Sequence, residues 1–286
     1  MLYNKRMREI HVNLITQAVR EMVAEACFSL TAETKKMMEY AASKETDDTA
    51  RFALDALLNN ANMAANKHIP VCQDTGMAII LAEVGNEVFI DGDFESAINE
   101  GVSKAYFDGK LRCSVVADPL FDRKNTENNT PAIIYTRIIK GDKIKLTALP
   151  KGFGSENKSR IKMFNPSAKP SDIVDFVVET VKIAGSMPCP PLVVGVGIGG
   201  SFDYAAFLSK KALSRDISLR NPDERYASLE EEMLNRINAL GIGPQGFGGN
   251  TTALAVNIEE YPTHIAGLPV AVNISCHVTR HASAEI

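Results

Sequence analysis

Residues 193–207, "VVGVGIGGSFDYAAF", decide the fold class, because an apolar strand pattern runs through glycines directly into a helical pattern. Gly195, Gly197 and Gly200 match the G-x-G-x-x-G pattern of dinucleotide-binding folds, and Asp216 follows at a distance suited to a ribose-binding acid. Such a fold needs a parallel strand soon after the helix, but residues 216–232 predict a weak strand at best and then another helix. Three interpretations stay open: a nucleotide-binding module, a tight turn with close helix packing, and a loop whose backbone N–H groups bind an anion.

The segments on either side of this stretch predict separate helical blocks and antiparallel strands. Residues of about 8–68 are predicted to be helical, since apolar residues recur there at spacings of three and four. Later helices are predicted over 94–109, over 171–185 with Ser171 as the cap, over 201–214, and over 221–241 with Pro222 in the first turn. Strands are predicted over 77–85 and 86–90 around a turn, over 131–149 as one hairpin, and over 191–197, 251–262 and 267–276.

These elements together predict an α+β fold, with a helical N-terminal part followed by a mixed or antiparallel sheet with flanking helices. No internal repeat, low-complexity segment or obvious linker interrupts the chain. We therefore expect a single domain over residues 1–286, with a helical portion of about 8–68 and an α/β portion of about 69–286.

Composition excludes several classes of protein. The 286 residues are 45% hydrophobic and carry 31 Lys and Arg against 35 Asp and Glu, a net charge of −4. Nucleic-acid binding usually needs a basic patch or stripe, which this balance does not favour. No apolar run approaches the roughly 18 residues of a membrane span, and the N-terminus lacks the apolar core of a signal peptide. We expect a cytoplasmic protein with neither a nucleic-acid partner nor a membrane span.

Three of the five cysteines lie where loops are predicted. Cys72 begins "CQDTG", Cys189 stands between two prolines in "MPCPP", and Cys276 follows a predicted strand. Functional groups concentrate on such loops. Three thiolates could hold an iron–sulfur cluster and leave one iron open to a substrate as a Lewis acid, although each could also be a small buried residue. Cys27, beside an apolar helix face, and Cys113, in a predicted strand, are expected to be core residues.

Three loops are rich in glycine, at 149–159, 193–207 and 241–252. Glycine allows a backbone to approach a ligand closely and to present N–H groups to it. Three such loops in one chain favour a site that binds an anion through backbone groups.

Long motifs in this chain resemble the class I fumarate hydratases, the oxygen-sensitive 4Fe–4S hydro-lyases related to L-tartrate dehydratase. They are "CQDTG" at 72–76, "KGFGSEN" at 151–157, "GVGIGGSFDYAAFLSKKAL" at 195–213, "GIGPQGFGGNTTALAVNIEEYPTHIAGLPVAV" at 241–272, and Cys276. The resemblance runs in order from about residue 10 to the end. It implies a 4Fe–4S cluster held by Cys72, Cys189 and Cys276, with the fourth iron binding the substrate. Such a cluster is sensitive to oxygen and can be lost in air.

The resemblance also implies roles for five other residues. Gln73 and Asp74 are similar to substrate-pocket residues, Arg112 to a partner of a substrate carboxylate, and Gly154 to a backbone contact with substrate. His264 is similar to a member of the acid–base machinery, working with Asp74. Structural alternatives remain: His264 as a hydrogen-bonded loop residue, Arg112 in a surface ion pair, and Asp74 in an Asx turn.

Single-chain members of the family continue into a C-terminal domain, whereas this sequence stops at "TRHASAEI". The resemblance therefore implies an α subunit that needs a β subunit for activity, together with dimerisation of α subunits. "GSEN" and "YPTHIAGLP" resemble the fumarase branch, which acts in the tricarboxylic acid cycle and hydrates fumarate to L-malate. The alternatives are an L-tartrate dehydratase α subunit and, in a different class, a nucleotide-binding module built on Gly195–Gly200.

Overall fold

The structure is a computed structural model that describes residues 7–286. The chain divides into two compact units. The first is formed by the described residues up to 31, by residues 63–152 and by residues 280–286; the second is formed by residues 32–62 and 153–279. The chain therefore enters each unit more than once.

The first unit contains a four-stranded mixed sheet in the order β10-β5-β2-β4 and a two-stranded parallel sheet of β1 and β3. Helices α1 and α4 pack together, and α1 also contacts β5 and β10. Its core is a single apolar cluster that includes Ile15, Val19, Ile80, Ile98 and Leu146, all fully buried. The elements are β1 Arg8–His11, α1 Val12–Phe28, β2 Met77–Gly85, β3 Val88–Asp91, α4 Phe94–Asp108, β4 Ile133–Ile139, β5 Ile144–Lys151 and β10 Ala282–Glu285.

The second unit contains a four-stranded mixed sheet in the order β6-β9-β7-β8, with β7 antiparallel to β9 and parallel to β8. Helix α7 contacts strands β7 and β9, while α6 and α8 contact each other. The elements are α2 Ala32–Lys44, α3 Asp48–Lys67 (which continues into the first unit), α5 Phe153–Glu156, β6 Arg160–Phe164, α6 Pro170–Ala184, β7 Leu192–Gly199, α7 Phe202–Ala212, α8 Glu224–Asn238, β8 Ala253–Tyr261 and β9 Leu268–Ser275.

Strand β7 explains why the opening stretch is apolar throughout. All eight of its residues are buried. Val194 and Val196 belong to the core cluster shared with α6 and α8, whereas the alternate residues Gly195 and Gly197 lie against α7. A strand covered by helices on both faces has no polar face, so its sequence does not alternate.

The predicted α+β class is confirmed, with a helical N-terminal part followed by mixed sheets and flanking helices. The predicted hairpin over 131–149 is wrong. Strands β4 and β5 both exist, but each pairs with β2, which lies between them. The turn after β2 likewise leads to a strand, β3, that pairs with β1 rather than with β2. Local strand patterns were visible in the sequence, but the neighbours of each strand come from distant segments.

Two helix starts also differ from the prediction. Helix α6 begins at Pro170, and the carboxylate of Asp172 accepts a hydrogen bond from the backbone N–H of Lys169 (2.7 Å), so Ser171 is not the cap. Helix α8 is capped by Asp223, whose carboxylate accepts from the N–H of Arg225 (2.9 Å). Pro222 therefore precedes the cap. Within residues 7–286, no helix combines the length and apolar character that crossing a membrane requires.

Candidate active site

The segment "CQDTG" forms a turn at residues 72–76, here called the Asp74 turn, which leads into β2 in the first unit. Cys72 and Asp74 are half-buried and Gln73 is exposed. The N–H of Gly76 donates to Oδ1 of Asp74 at 3.1 Å, which is an Asx turn. Gly76 has a φ of +78°, and a Cβ there would lie 2.6 Å from the carbonyl carbon of Lys151, so only glycine fits.

Gly152 is a site residue that the sequence analysis did not select. A Cβ at this position would lie 2.9 Å from Oδ2 of Asp74 and 3.3 Å from its Cγ. The Asp74 carboxylate therefore rests against the Cα of Gly152, which follows the last residue of β5. One oxygen of this carboxylate accepts from the turn, and the other lies against a residue without a side chain. The sequence signals for this contact were the glycine-rich loop at 149–159 and the motif at 151–157.

Arg112 is joined to the Asp74 turn through its backbone. Oγ1 of Thr75, a buried residue, donates to the carbonyl oxygen of Arg112 at 2.8 Å, and Arg112 itself is exposed. The structure thus brings together three of the predicted site residues in the first unit, namely Gln73, Asp74 and Arg112. A carboxylate and a guanidinium on adjoining loops can act together on a substrate that carries acidic groups.

In the second unit, Gly154 lies in the short helix α5, and no described atom within 4 Å would contact a Cβ placed there. The helix is anchored by Glu156, which forms an ion pair with the buried Lys210 and accepts from Nδ2 of Asn273 at 3.1 Å. Burial lowers the pKa of Lys210, and the neighbouring Glu156 opposes that effect. The short helix is therefore anchored at Glu156, and there is open space beside the Cα of Gly154.

His264 lies on an exposed loop after β8, also in the second unit. Its Nδ1 accepts from the N–H of Ala266 at 3.1 Å, and its carbonyl accepts from the N–H of Gly267 at 3.0 Å. Oγ1 of Thr263 donates to the carbonyl of Gly200 at 2.9 Å, so the loop rests on the glycine turn that follows β7. His264 is therefore a hydrogen-bonded loop residue, as one of the alternatives predicted. Because Nδ1 accepts from Ala266, Nε2 is the ring nitrogen that could transfer a proton.

The glycines of the G-x-G-x-x-G pattern are used for close packing inside the second unit. A Cβ at Gly195 would lie 2.1 Å from the carbonyl oxygen of Ser209, and one at Gly197 would lie 2.1 Å from that of Ala205. Both carbonyls belong to α7, so these glycines allow the helix to sit directly on β7. The parallel neighbour of β7 is β8, which follows only after two helices. Close helix packing accounts for this motif without a nucleotide.

Cys189 and Cys276 are brought together in the second unit. The backbone N–H of His277 donates to the carbonyl of Cys189 at 3.2 Å, which makes the two cysteine-bearing segments neighbours. Nε2 and the backbone N–H of Gln245 donate to the carbonyl of Pro190 at 2.6 and 2.8 Å. Cys189 and Gln245 both have left-handed backbones, with φ of 55° and 54°. Non-glycine residues held in that region are concentrated at functional sites.

The other two cysteines lie away from these loops. Cys27 is completely buried in the core of the first unit, as predicted, and burial raises the pKa of its thiol. Cys113 packs at the edge of the same core, and burial followed by the charge of Glu127 raises the pKa of its thiol. It does not lie in a strand, so that part of the prediction is wrong.

The donor chemistry of the loop cysteines suits a thiolate-ligated cluster. Cys72 and Cys276 are half-buried and Cys189 is exposed, so their sulfurs lie nearer the surface than that of Cys27. Thiolates are the usual ligands of iron–sulfur clusters. Cys72 belongs to the first unit and the other two belong to the second. Within residues 7–286 no three His, Cys, Asp or Glu side chains are grouped to hold a metal, so the set of three ligands stays a prediction.

Comparison with known proteins identifies the family of this chain. Residues 16–285 match the family described as fumarate hydratase (Fumerase). A protein of Methanocaldococcus jannaschii, provisionally named L(+)-tartrate dehydratase subunit alpha, is 41% identical over 278 residues, covering 95% of this chain and 97% of the relative. L(+)-tartrate dehydratase subunit alpha of Escherichia coli strain K12 is 30% identical over 276 residues, covering 95% of this chain and 90% of the relative. The chain therefore belongs to the fumarate hydratase (Fumerase) family of hydro-lyases.

Proposed function

We propose that this chain is the α subunit of a two-subunit iron–sulfur hydro-lyase that catalyses the reversible hydration of fumarate to L-malate. The observation that carries the proposal is the Asp74 turn. It begins with a cysteine, and it holds a half-buried carboxylate against Gly152 beside the loop that bears Arg112. In a member of this family, that combination supplies a candidate cluster ligand, a proton-transferring group and a carboxylate partner within one unit.

Each candidate site residue would have a role that follows from the chemistry of its side chain or backbone. The Arg112 guanidinium would hold one carboxylate of the substrate, and the backbone N–H of Gly154 would hold the other. Gln73, which is exposed at the Asp74 turn, would donate from its amide and orient the substrate. Asp74 and His264 would move the proton at the carbon next to the one that carries the hydroxyl.

Cys72, Cys189 and Cys276 would hold a 4Fe–4S cluster. When bound, such a cluster supplies a Lewis-acidic iron with an open position for the hydroxyl group that leaves as water. We expect the assembled site to be sensitive to oxygen, because an iron that is open to substrate is also open to oxygen.

The proposal also includes a partner. The relatives named above are alpha subunits, which supports a β subunit that completes the pocket of this chain. We further propose that α subunits dimerise, that residues 1–286 act as one domain, and that the enzyme is cytoplasmic and serves the tricarboxylic acid cycle.

L-Tartrate is the second candidate substrate, because the relatives are named tartrate dehydratases. Both substrates are four-carbon dicarboxylates, so the same arginine and backbone groups would serve either one. The two differ in a second hydroxyl group. Loss of water from tartrate gives the enol of oxaloacetate, whereas loss of water from malate gives fumarate.

The test is to co-express the chain with its β subunit, purify the complex without oxygen, and offer each substrate separately. Fumarate is followed by its ultraviolet absorbance, and oxaloacetate is followed with malate dehydrogenase and NADH. We expect a kcat/KM for fumarate at least tenfold above that for L-tartrate, and no more than trace activity from either subunit alone. A preference for L-tartrate would overturn the choice of substrate, and full activity of the isolated chain would overturn the two-subunit assignment.

A further inference from the structure

The backbone of the Asp74 turn is held by three buried side chains to which the proposed mechanism gives no role. Nη2 of Arg280 donates to the carbonyl of Asp74 at 2.5 Å. The Tyr106 hydroxyl lies 2.8 Å from the carbonyl oxygens of both Thr75 and Gly76. Nδ2 of Asn129 donates to the carbonyl of Gly76 at 3.1 Å. Three consecutive carbonyl oxygens therefore accept hydrogen bonds from side chains of distant segments.

These three side chains are well placed to limit movement of the turn. Arg280 is 6% exposed, Tyr106 is 1% exposed and Asn129 is fully buried. Oδ1 of Asn129 also accepts from the N–H groups of Ser114 and Val115, at 2.7 and 3.3 Å, so its own orientation is fixed. A buried donor that cannot rotate away holds its acceptor more firmly than an exposed one.

Arg280 has the most specific geometry of the three. Its Nε donates to the carbonyl of Pro150 at 3.0 Å, close to the end of β5, while its Nη2 reaches Asp74. The guanidinium thus spans the two segments that carry the Asp74 carboxylate and Gly152. Because the carboxylate rests against Gly152, the distance between these segments decides where its oxygens point.

The surroundings of Arg280 are unusual for a structural residue. Both of its hydrogen-bond acceptors are neutral carbonyls, and its Nη1 is buried without a hydrogen-bond partner among the described residues. A buried cation with neutral partners destabilises a fold unless something compensates. Residues whose surroundings cost stability in this way are typical of functional sites.

We propose that Arg280 is a positioning residue, which holds the Asp74 carboxylate at a fixed distance from β5, with Tyr106 and Asn129 supporting the same turn. This inference rests on the proposed function, because it takes Asp74 as the group that moves the proton. Arg280 is four residues after Cys276 in the sequence, so Arg280 and a candidate cluster ligand lie on the same C-terminal segment.

The experiment compares Arg280→Lys, Tyr106→Phe and a control, Arg236→Lys, each in complex with the β subunit. Arg236 is half-exposed in the second unit and pairs with Asp175 on the surface, so its conservative exchange tests for unspecific effects. Lysine keeps the charge of Arg280 but cannot span two carbonyls with a rigid planar group. Tyr106→Phe keeps the ring and removes one hydroxyl, so it provides a variant that folds if Arg280→Lys does not.

Two readouts are needed. Hydrogen exchange of the peptide covering residues 72–77 should rise about tenfold or more in Arg280→Lys, and by less in Tyr106→Phe, while the peptide covering β7 stays unchanged. In steady-state kinetics, kcat should fall by about 10- to 100-fold with less than a threefold change in KM, since the proton-moving group is displaced and Arg112 is kept. Arg236→Lys should change neither quantity.

The outcomes separate this inference from the proposed function. Unchanged exchange at 72–77 in folded variants, or an equal rise in both peptides, would overturn the positioning role. A loss that appears in KM rather than in kcat would also overturn it. If the wild-type complex turns over neither fumarate nor L-tartrate, the proposed function fails, and hydrogen exchange still decides whether Arg280 holds the turn.

Discussion

Replacing Gly152 by alanine tests the geometry of the candidate site directly. The added Cβ would lie 2.9 Å from Oδ2 of Asp74, whereas ordinary van der Waals contact begins at 3.4 Å. The carboxylate must therefore move by about 0.5 Å, the difference between those two distances. Catalytic groups need to be held within about 0.5 Å, and a misplacement of about 1 Å can lower a rate a hundredfold. We expect kcat to fall by about tenfold.

The same substitution should have little effect on the stability of the fold. The backbone of Gly152 is not left-handed, so alanine introduces no backbone strain there. The atom that must move ends a side chain, and weakening of the hydrogen bond from Gly76 to Asp74 would cost no more than about 1 kcal/mol. Gly267→Ala is the matched control for stability, because no described atom lies within 4 Å of its added Cβ.

The assay combines steady-state kinetics of the α–β complex with thermal unfolding of the isolated chain. Gly152→Ala should also be made in an Asp74→Ala background, where the carboxylate that it displaces is gone. In that background the alanine should change the free energy of unfolding by less than about 0.5 kcal/mol. The contact between Gly152 and Asp74 does not control the site if kcat of the single variant equals that of the wild type. The same follows if the alanine lowers the free energy of unfolding equally with and without the Asp74 carboxylate.

Three further predictions concern the access of reagents to the thiols, the ionisation of a buried tyrosine and a buried ion pair. In the isolated, metal-free chain, a thiol-alkylating reagent should modify the exposed Cys189 first and the completely buried Cys27 last, as followed by peptide mass spectrometry. Burial raises the pKa of Tyr106, so the unfolded chain ionises first above about pH 10 and stability falls with rising pH. Tyr106→Phe should reduce that fall by up to about 1.4 kcal/mol per pH unit in urea titrations. Lys210→Met should lower the free energy of unfolding by about 2 kcal/mol, because it removes the cationic partner of the partly buried Glu156 carboxylate, whereas Lys211→Met, at an ion pair nearer the surface, should cost less than about 1 kcal/mol.

Each of these has an opposing result. Early modification of Cys27 would show that the core of the first unit opens readily. An unchanged slope of stability against pH in Tyr106→Phe would mean that this hydroxyl is not buried in solution. Equal costs for Lys210→Met and Lys211→Met would contradict the anchoring of helix α5 by a buried ion pair.

Local sequence patterns predicted the elements of this fold better than their pairing. The β-branched runs of β4 and β5 indicate two strands, and the short turn between them favours a hairpin. Yet β2, from earlier in the chain, lies between them. Strand neighbours depend on how α1 and α4 cover the sheet, and that information is spread over distant parts of the sequence.

In the candidate site, too, local sequence patterns predicted some residues and missed others. Its chemically distinctive groups, such as Cys72 and Asp74, stand in recognisable motifs. The residues that support them do not, because Arg280 lies 206 residues from Asp74 and Asn129 lies 53 residues from Gly76. A tyrosine or an asparagine inside a loop or helix carries no local sign that its side chain will reach a particular carbonyl. Only the folded chain reveals these contacts.

The most direct test of the proposed cluster is the iron and acid-labile sulfide content of the complex, prepared and reconstituted without oxygen, for single cysteine-to-serine variants. We expect about four irons in the wild type and in Cys113→Ser. We expect loss of most iron and of the visible absorption in Cys72→Ser, Cys189→Ser and Cys276→Ser. Retention of a full cluster in any of those three variants, or its loss in Cys113→Ser with the fold intact, would contradict the proposed set of ligands.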